Sequence, residues 1–372
     1  MAAEPAPLDE ELLDDGWIQL FDGHSLFGWQ KVGDAEWEIE EGTIRTSGER
    51  PGFLMTTGKW ADYVLHVEYK AFDKTNSGVF LRTPLEPTNP AADCYELNIA
   101  PPENAFPTGS LVGRQRRATD GRKTPDAGAW QTFEVTVRGG HVSVRDGTGL
   151  ILEYDDPSPL PRNPIALQSN SGPVEFRNVR IRPTGFAPIF TGKDLAGWNS
   201  DRAEQSKFEV TPEESLRVTK GPGQIESDGE YANFVLGLEC RIDGDGLNSG
   251  IFFRTLRTGR WTGYESQIHN VYRDGDRTKP RDFGTGGIYR RQPARRVVAD
   301  DREWFHKTIV ADGPHMAVWV DGYPVSDWTD ERPPHESPRE GRRDGPGAIA
   351  IQGHDPTTDL RFRNLRIIDL GE

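Results

Sequence analysis

Residues 76–83 read Asn-Ser-Gly-Val-Phe-Leu-Arg-Thr, and residues 248–255 read Asn-Ser-Gly-Ile-Phe-Phe-Arg-Thr. The two stretches differ only where one apolar side chain replaces another. In each, a small polar tripeptide leads into a run of β-branched, aromatic and apolar residues, which is typical of a buried β-strand. Because so specific a stretch occurs twice in one chain, the sequence predicts two copies of one β-rich domain.

Further matches lie on both sides of these stretches, in the same order in each copy. The openings at 20–29 and 189–198 share Phe, Gly and Leu before they end in Gly-Trp, and the closings at 176–181 and 362–367 both begin Phe-Arg-Asn. Between them, Tyr-Glu, Thr-Gly and an apolar residue followed by Gln also recur. We therefore expect three segments: a disordered lead-in at 1–14, a first domain at 15–183 and a second domain at 186–372.

Alternation of apolar and polar residues dominates within each copy. Phe133, Val135 and Val137, for example, are separated by Glu134 and Thr136. Many of the 41 glycines and 28 prolines fall between such runs, and no apolar stripe with helical spacing extends beyond about two turns. These patterns predict an all-β fold, in which each copy is an antiparallel β-sandwich or jelly roll.

The net charge of the chain is -15, which opposes binding to phosphate backbones and anionic lipid. We therefore expect no nucleic-acid partner. No apolar run approaches the roughly 18 residues that a membrane span needs, so we expect no membrane insertion. Residues 1–7 are rich in Ala and Pro and resemble the tail left after signal cleavage with an added Met, which favours a periplasmic or extracellular location over a cytoplasmic one.

Polar residues recur inside the predicted strands at equivalent places in the two copies. Alternation places such residues on one face of an antiparallel sheet, which can be concave and open to a ligand. Carboxylates, guanidinium groups and amides together suit sugar hydroxyls, although ion pairs within the sheet would explain the same residues. The predicted pairs are Glu68 and Glu239, Arg82 and Arg254, Glu96 and Glu265, Asn98 and Gln267, and Gln168 and Gln352.

Histidines distinguish the two copies. His269 follows the Tyr-Glu-x-Gln-Ile stretch and His354 follows the Ile-Gln stretch, whereas the first copy has no histidine at either place. Histidine is the natural proton carrier near neutral pH, so catalysis is expected in the second copy above all. No zinc-ligand spacing, nucleophile elbow or phosphate loop is present, and no cofactor is predicted, although structural calcium in the loops stays possible.

Taken in order, these motifs resemble the 3-keto-disaccharide hydrolase domain, and the resemblance covers each copy almost from end to end. It implies a concanavalin A-like lectin/glucanase jelly roll in each of two tandem domains, and activity on 3-keto-glycosides. Two departures stand out. The family often has an acidic residue after Tyr-Glu-x-Gln-Ile, where this chain has Pro101 in the first copy and His269-Asn270 in the second, and its Leu-Gln-x-His ending survives only in the second copy.

The chemistry that the resemblance implies needs a base for the C2 proton, a stabiliser for the enolate and an acid for the leaving oxygen. We assign Glu265 or His354 as the base, Arg254 with Gln267 as the enolate stabiliser, and His269 as the group that assists leaving. The parallel set in the first copy is Glu96, Arg82 and Asn98.

Two alternatives stay open. One is retaining or inverting hydrolysis by two carboxylates, as in laminarinase-type glucanases of this fold. Their Glu-x-Asp-x-x-Glu strand motif does not occur here. The other is a non-catalytic tandem carbohydrate-binding protein, because this fold serves many lectins.

Overall fold

The structure, a computed structural model, describes residues 8–118 and 126–371. These form two compact units: a first domain of residues 19–184, and a second domain of residues 8–18 with 185–371. Helix α1 (Glu10–Asp15) belongs to the second domain and ends at Gly16, whose left-handed backbone (φ 89°) lets its N–H bond the last turn. The expected disordered lead-in is therefore wrong for residues 10–14, and residues 1–7 lie outside the described residues.

The first domain consists of two antiparallel sheets. One has the strand order β11-β10-β9-β6-β13-β4-β3, with β1 beside β13, and the other the order β2-β5-β12-β7-β8. Its elements are β1 (Ile18–Gln19), β2 (Trp29–Gly33), β3 (Glu38–Glu40), β4 (Thr43–Thr46), β5 (Gly52–Thr56), β6 (Tyr63–Ala71), β7 (Ser77–Leu81), α2 (Pro90–Asp93), β8 (Tyr95–Ile99), β9 (Trp130–Arg138), β10 (His141–Asp146), β11 (Gly149–Asp155), β12 (Ala166–Ser169) and β13 (Val174–Pro183).

The second domain repeats this arrangement. Its larger sheet has the order β16-β17-β28-β19-β24-β25-β26, with β14 beside β28, and its smaller sheet the order β15-β18-β27-β20-β21. A hairpin, β22-β23, is added. The strands are β14 (Ala187–Pro188), β15 (Trp198–Asn199), β16 (Lys207–Val210), β17 (Leu216–Thr219), β18 (Gly223–Tyr231), β19 (Asn233–Ile242), β20 (Ser249–Thr255), β21 (Tyr264–Ile268), β22 (Tyr272–Arg273), β23 (Asp276–Pro280), β24 (Trp304–Asp312), β25 (His315–Val320), β26 (Tyr323–Thr329), β27 (Gly347–Gly353) and β28 (Asp359–Gly371).

The predicted fold class is confirmed, because each domain is a sandwich of two antiparallel sheets. The core lies between the sheets and is filled by the alternating apolar residues of both. Phe133, Val135 and Val137 are fully buried there, while Glu134 and Thr136 between them are not. No helix among the described residues is long and apolar enough to cross a membrane.

Candidate functional site

The smaller sheet of the second domain has one face in the core and one face pointing away from it. Ile225, Ile251 and Ile351 point into the core. Residues opposite one another on neighbouring antiparallel strands share a face, so the residues between these isoleucines point outward. They form two rows, Gln224, Gln352, Gly250 and Gln267 in one and Glu226, Ala350, Phe252 and Glu265 in the other. We call this surface the second outer face and the equivalent surface of the first domain the first outer face.

Glu265 is a buried carboxyl group on the second outer face. Only 6% of its surface is exposed. The pKa of its carboxyl group is raised to about 7, chiefly by burial and also by the negative charge of Asp282, while the positive charges of Arg339, Lys307 and Arg290 act in the opposite direction. Within the described residues no hydrogen bond or ion pair reaches this carboxyl group. A buried carboxyl group that changes protonation near neutral pH suits proton transfer.

The Asn-Ser-Gly tripeptide at 248–250 forms the surface next to Glu265. The hydroxyl group of Ser249 donates to the carbonyl oxygen of Gln352 on the neighbouring strand, at 2.7 Å. A Cβ atom on Gly250 would lie 2.5 Å from Oε1 of Glu265, so the glycine makes room for the carboxyl group. The tripeptide therefore belongs to the site, where its glycine is needed for space within a strand.

Asp282 reaches the same surface from the segment that follows β23, and it is not among the residues predicted from the sequence. Its Oδ2 accepts hydrogen bonds from Nδ2 of Asn248 at 2.7 Å and from Nε2 of Gln267 at 2.9 Å. It thus supplies an acidic group beside Tyr-Glu-x-Gln-Ile from a later part of the chain. The signal that could have found it is the Phe-x-Thr-Gly motif, which aligns Asp282 with Ala105 of the first copy.

Three buried polar atoms of this region have no hydrogen-bond partner among the described residues. They are Oε1 of Gln352, Oδ1 of Asn248 and Nδ1 of His269. Asn248 and His269 lie next to Ser249 and Ile268, the last paired residues of β20 and β21. Buried polar atoms are normally satisfied, so unpaired ones on adjacent strands suit the hydroxyl groups of a ligand.

The opposite end of the second outer face is a fixed polar network. Nε2 of Gln224 donates to Oε1 of Glu226 at 2.6 Å, and the backbone N–H of Trp261 donates to Oε1 of Gln224 at 2.8 Å. Arg202 and Arg257 form ion pairs with Glu226 at 3.5 Å and 3.2 Å. The network holds the Gln224 amide in one orientation next to Gln352, whose Oε1 is unpaired.

Arg339 lies over the middle of the second outer face. It comes from the segment between β26 and β27, and its guanidinium carbon lies 5.7 Å from the ring centroid of Phe252. Its Nε donates to the carbonyl oxygen of Trp261 at 2.8 Å. The positive charge of Arg339 also lowers the pKa of Glu265, so it stabilises negative charge at the place where the carboxyl group lies. Its segment, 330–346, is one of the long loops that differ between the copies, and no sequence motif marked the arginine.

Arg254 and Arg82 do not belong to either outer face, and the prediction that they contact substrate is wrong. Arg254 is fully buried and donates to the carbonyl oxygens of Ala232 at 2.8 Å and Arg343 at 2.9 Å. Arg82 donates in the same way to the carbonyl oxygens of Ala61, Gly139 and Leu160. Both have positive φ angles, 51° and 49°, Arg254 at a register shift inside β20 and Arg82 just after β7, so each turns away from the face that simple alternation assigned to it.

Glu239 and Glu68 lie on the larger sheets, and their predicted role as substrate ligands is also wrong. Oε2 of Glu239 accepts a hydrogen bond from Nε of Arg363 at 2.6 Å, and Oε1 accepts one from Nδ2 of Asn364. In the first domain, Glu68 accepts the equivalent hydrogen bonds, from Nε of Arg177 at 2.7 Å and from Nδ2 of Asn178 at 2.7 Å. The Phe-Arg-Asn motif therefore recurs because it fastens two strands in each domain.

The remaining predicted residues lie on the two outer faces or at their ends. His354 follows β27, two residues after Gln352, and its Nδ1 lies 2.9 Å from Oδ2 of Asp355. On the first outer face, burial alone raises the pKa of Glu96 to about 7. Nδ2 of Asn98 donates to the carbonyl oxygen of Phe106, and Oε1 of Gln168 is buried and unpaired.

One group of potential metal ligands occurs among the described residues. Asp14, Glu239 and His306 place their ligand atoms within 4.8 Å of one another in the second domain. Both carboxylate oxygens of Glu239 already accept hydrogen bonds, from Arg363 and Asn364, and a neighbouring guanidinium opposes a cation. This group is a poor metal site, and loop calcium stays a prediction.

Comparisons with known proteins agree with the motifs. The family model described as "3-keto-alpha-glucoside-1,2-lyase-like domain" matches residues 16–182 and again residues 185–368. A curated 3-keto-disaccharide hydrolase from Bacteroides thetaiotaomicron is 32% identical over 91 residues, which are 21% of this chain and 31% of that protein.

Solved structures include two proposed glycosyl hydrolases from Parabacteroides distasonis. One is 18% identical with a TM-score of 0.44, and it matches 49% of this chain and 100% of its own. The other is 25% identical with a TM-score of 0.40, and it matches 50% of this chain and 100% of its own. Since the family model matches almost the whole chain in two segments, the protein belongs to the family of 3-keto-alpha-glucoside-1,2-lyase-like domains.

Proposed function

We propose that the second outer face cleaves 3-keto-glycosides by elimination followed by addition of water. The observation that carries this proposal is the carboxyl group of Glu265, which is buried, has no hydrogen-bond partner among the described residues and has a pKa of about 7. Such a group can accept a proton from carbon and return it at the pH of most cells. The family and the hydrolase from Bacteroides thetaiotaomicron supply the substrate class.

The reaction follows from the ketone at C3. Loss of the C2 proton leaves an electron pair that delocalises onto the C3 oxygen, so this proton is acidic. Glu265 takes the proton, the electron pair forms the C1=C2 double bond, and the C1–O bond breaks. The leaving oxygen takes one proton, which we assign to His269. Water then adds its hydroxyl group to C1 and a proton to C2, so the net reaction is hydrolysis.

The enolate oxygen needs a positive or hydrogen-bonding partner. We assign this role to Arg339 instead of Arg254, for which the sequence predicted it. The positive charge of Arg339 stabilises negative charge beside Glu265, and its contact with the ring of Phe252 holds it over the second outer face. Preorganised charge of this kind is usually the largest catalytic contribution. The unpaired atoms of Gln352 and Asn248 would bind the remaining sugar hydroxyls.

The test uses a 3-keto-glucoside and the matching plain glucoside in deuterated water. Elimination followed by hydration places solvent deuterium at C2 of the product, whereas direct displacement at C1 does not. We expect turnover of the keto sugar alone, with deuterium at C2 beyond the no-enzyme control, measured by mass spectrometry or NMR. Turnover without deuterium would contradict the mechanism, and binding without turnover would leave the carbohydrate-binding alternative.

Glu226 is too far from Glu265 to be its partner in the two-carboxylate alternative. Glu226 and Glu265 occupy one row but are three strand spacings apart, which is about 14 Å at ~4.8 Å per spacing. Inverting hydrolysis needs carboxyl groups roughly 6.5–9.5 Å apart, and retaining hydrolysis needs them closer still. The carboxylate of Glu226 is also held by two arginines.

For the first domain we propose carbohydrate binding without efficient catalysis. Its outer face keeps Glu96 and the buried, unpaired atoms Oε1 of Gln168 and Oδ1 of Asn98, which suit a sugar. It has Ala105 where the second domain has Asp282, and no histidine where the second domain has His269.

A further inference from the structure

A lysine lies inside the second domain, directly behind the strand that carries Glu265. Lys307 on β24 is only 1% exposed and points into the space between the two sheets. Its Nζ donates to the carbonyl oxygens of Ser266 at 3.0 Å and of Gln267 at 2.9 Å. Both carbonyls belong to β21, so Lys307 binds the back of the strand whose front presents Glu265 and Gln267.

The first domain has no lysine at this place. Strands β9 and β24 both begin at a tryptophan, which makes Phe133 the counterpart of Lys307, and the same register makes Tyr69 the counterpart of Cys240. Phe133 and Tyr69 stack with ring centroids 4.5 Å apart. An aromatic pair that fills the first core is thus replaced in the second by a thiol and an ammonium group.

This replacement is costly for a core. An ammonium group loses its hydration on burial, and desolvation lowers the pKa of Lys307 to about 7. The titratable groups that face it are Cys240 on β19 and Glu265 on β21, and both favour its charged form. An aromatic pair would fill the space without this cost, so the lysine must contribute something that packing does not require.

We propose that Lys307 is a positioning residue for Glu265, which holds β21 from behind through the two carbonyls and favours the ionised carboxylate. The inference rests on the proposed function of Glu265 as a base. Three other charges act on Glu265: Asp282 opposes its ionisation, whereas Arg339 and Arg290 favour it. Lys307 differs from these three because it acts from inside the core, out of reach of substrate.

The first test is the Lys307→Met variant, which keeps the length of the side chain and removes its charge. Without the ammonium group the carboxyl group of Glu265 holds its proton to higher pH. We expect the acidic limb of the kcat/KM profile to move up by about half a pH unit or more, and kcat at pH 6.5 to fall ~3–10-fold with KM little changed. The Lys307→Arg variant keeps a positive charge, so the midpoint of its acidic limb should stay near the wild-type pH.

A matched packing control imports the first domain's aromatic pair as the double variant Cys240→Tyr with Lys307→Phe. Because the pair fills the first core, this variant should unfold at a temperature no lower than Lys307→Met, and it should still show the shifted limb. An unshifted limb in both charge-removing variants, at wild-type fold and stability, would overturn the inference.

A titration separates this inference from the proposed function. The carboxyl carbon of Glu265, assigned with Glu265→Gln, is followed by NMR against pH in the wild type and in Lys307→Met. An upward shift of its midpoint in the variant supports the coupling even if 3-keto sugars are not turned over, in which case the proposed function alone fails. Turnover by the wild type with an unshifted midpoint overturns the role of Lys307 alone.

Discussion

The two outer faces have the same strand order but different chemistry. Where the second presents Gln224 and Glu226 on β18, the first presents Phe53 and Met55 on β5, as the register with β12 shows. Met55 joins Phe80, Cys94 and Ala166 in a small apolar cluster. One end of the frame therefore accepts polar or apolar residues, while at the other end both domains keep a glutamate whose pKa is raised by burial.

The largest expected effect separates the two glutamates. Glu265→Gln should lower kcat by ~10²–10⁴-fold, because an amide cannot accept the C2 proton. Glu96→Gln, the matched change in the first domain, should alter kcat by less than about twofold if only the second domain is an efficient catalyst. Equal losses of kcat from both variants would mean that both domains catalyse the reaction. That result would contradict the prediction, based on His269 and His354, that catalysis belongs to the second domain above all.

The pH dependence follows from the ionised form being the base. Since burial raises the pKa of Glu265 to about 7, the acidic limb of the kcat/KM profile should rise as the pH passes upward through about 7. Rates across pH 5–9 measure this, with circular dichroism as the control for folding. A profile that stays flat through this range would remove Glu265 as the base.

Asp282→Ala gives the second domain the residue that the first has at Ala105. The amides of Asn248 and Gln267 lose their shared acceptor, so these two side chains beside Glu265 are held less firmly. We expect kcat/KM to fall by ~10–100-fold. The acidic limb should move to lower pH, because the charge of Asp282 raises the pKa of Glu265. A limb that moves upward instead would show that the loosened side chains bury the carboxyl group more deeply.

A smaller effect is expected at the other end of the second outer face. The double variant Gln224→Phe with Glu226→Met reproduces the pair found on β5 of the first domain. Because these residues lie about 14 Å from Glu265 across the sheet, we expect KM to rise ~10-fold with kcat within about twofold. Initial rates over a range of substrate concentrations separate the two constants. A fall in kcat of the same size would place this end in the chemistry.

The repeat and the all-β class follow from the sequence because alternation and recurring motifs are local signals. Glu265 and Gln352 were also within reach, since each lies within a regular strand whose faces alternate. Arg254 was misplaced because its backbone leaves the strand conformation, at φ 51°, where alternation no longer holds. Asp282 and Arg339 come from loops, and nothing in their local sequence fixes where a loop brings a side chain.

The smallest expected effect on turnover concerns an arginine that both copies share. Arg254→Met and its counterpart Arg82→Met should each lose about 2–4 kcal/mol of stability, because the buried carbonyls that the guanidinium bonds lose their donor. Thermal unfolding measures this loss, while kcat per folded molecule should stay unchanged. A large loss of kcat in folded Arg254→Met would return the arginine to the site. An unchanged kcat would mean that identity between the copies reflects shared folding requirements, and that Asp282, His269 and Lys307, which the first domain lacks, are the better guide to catalysis.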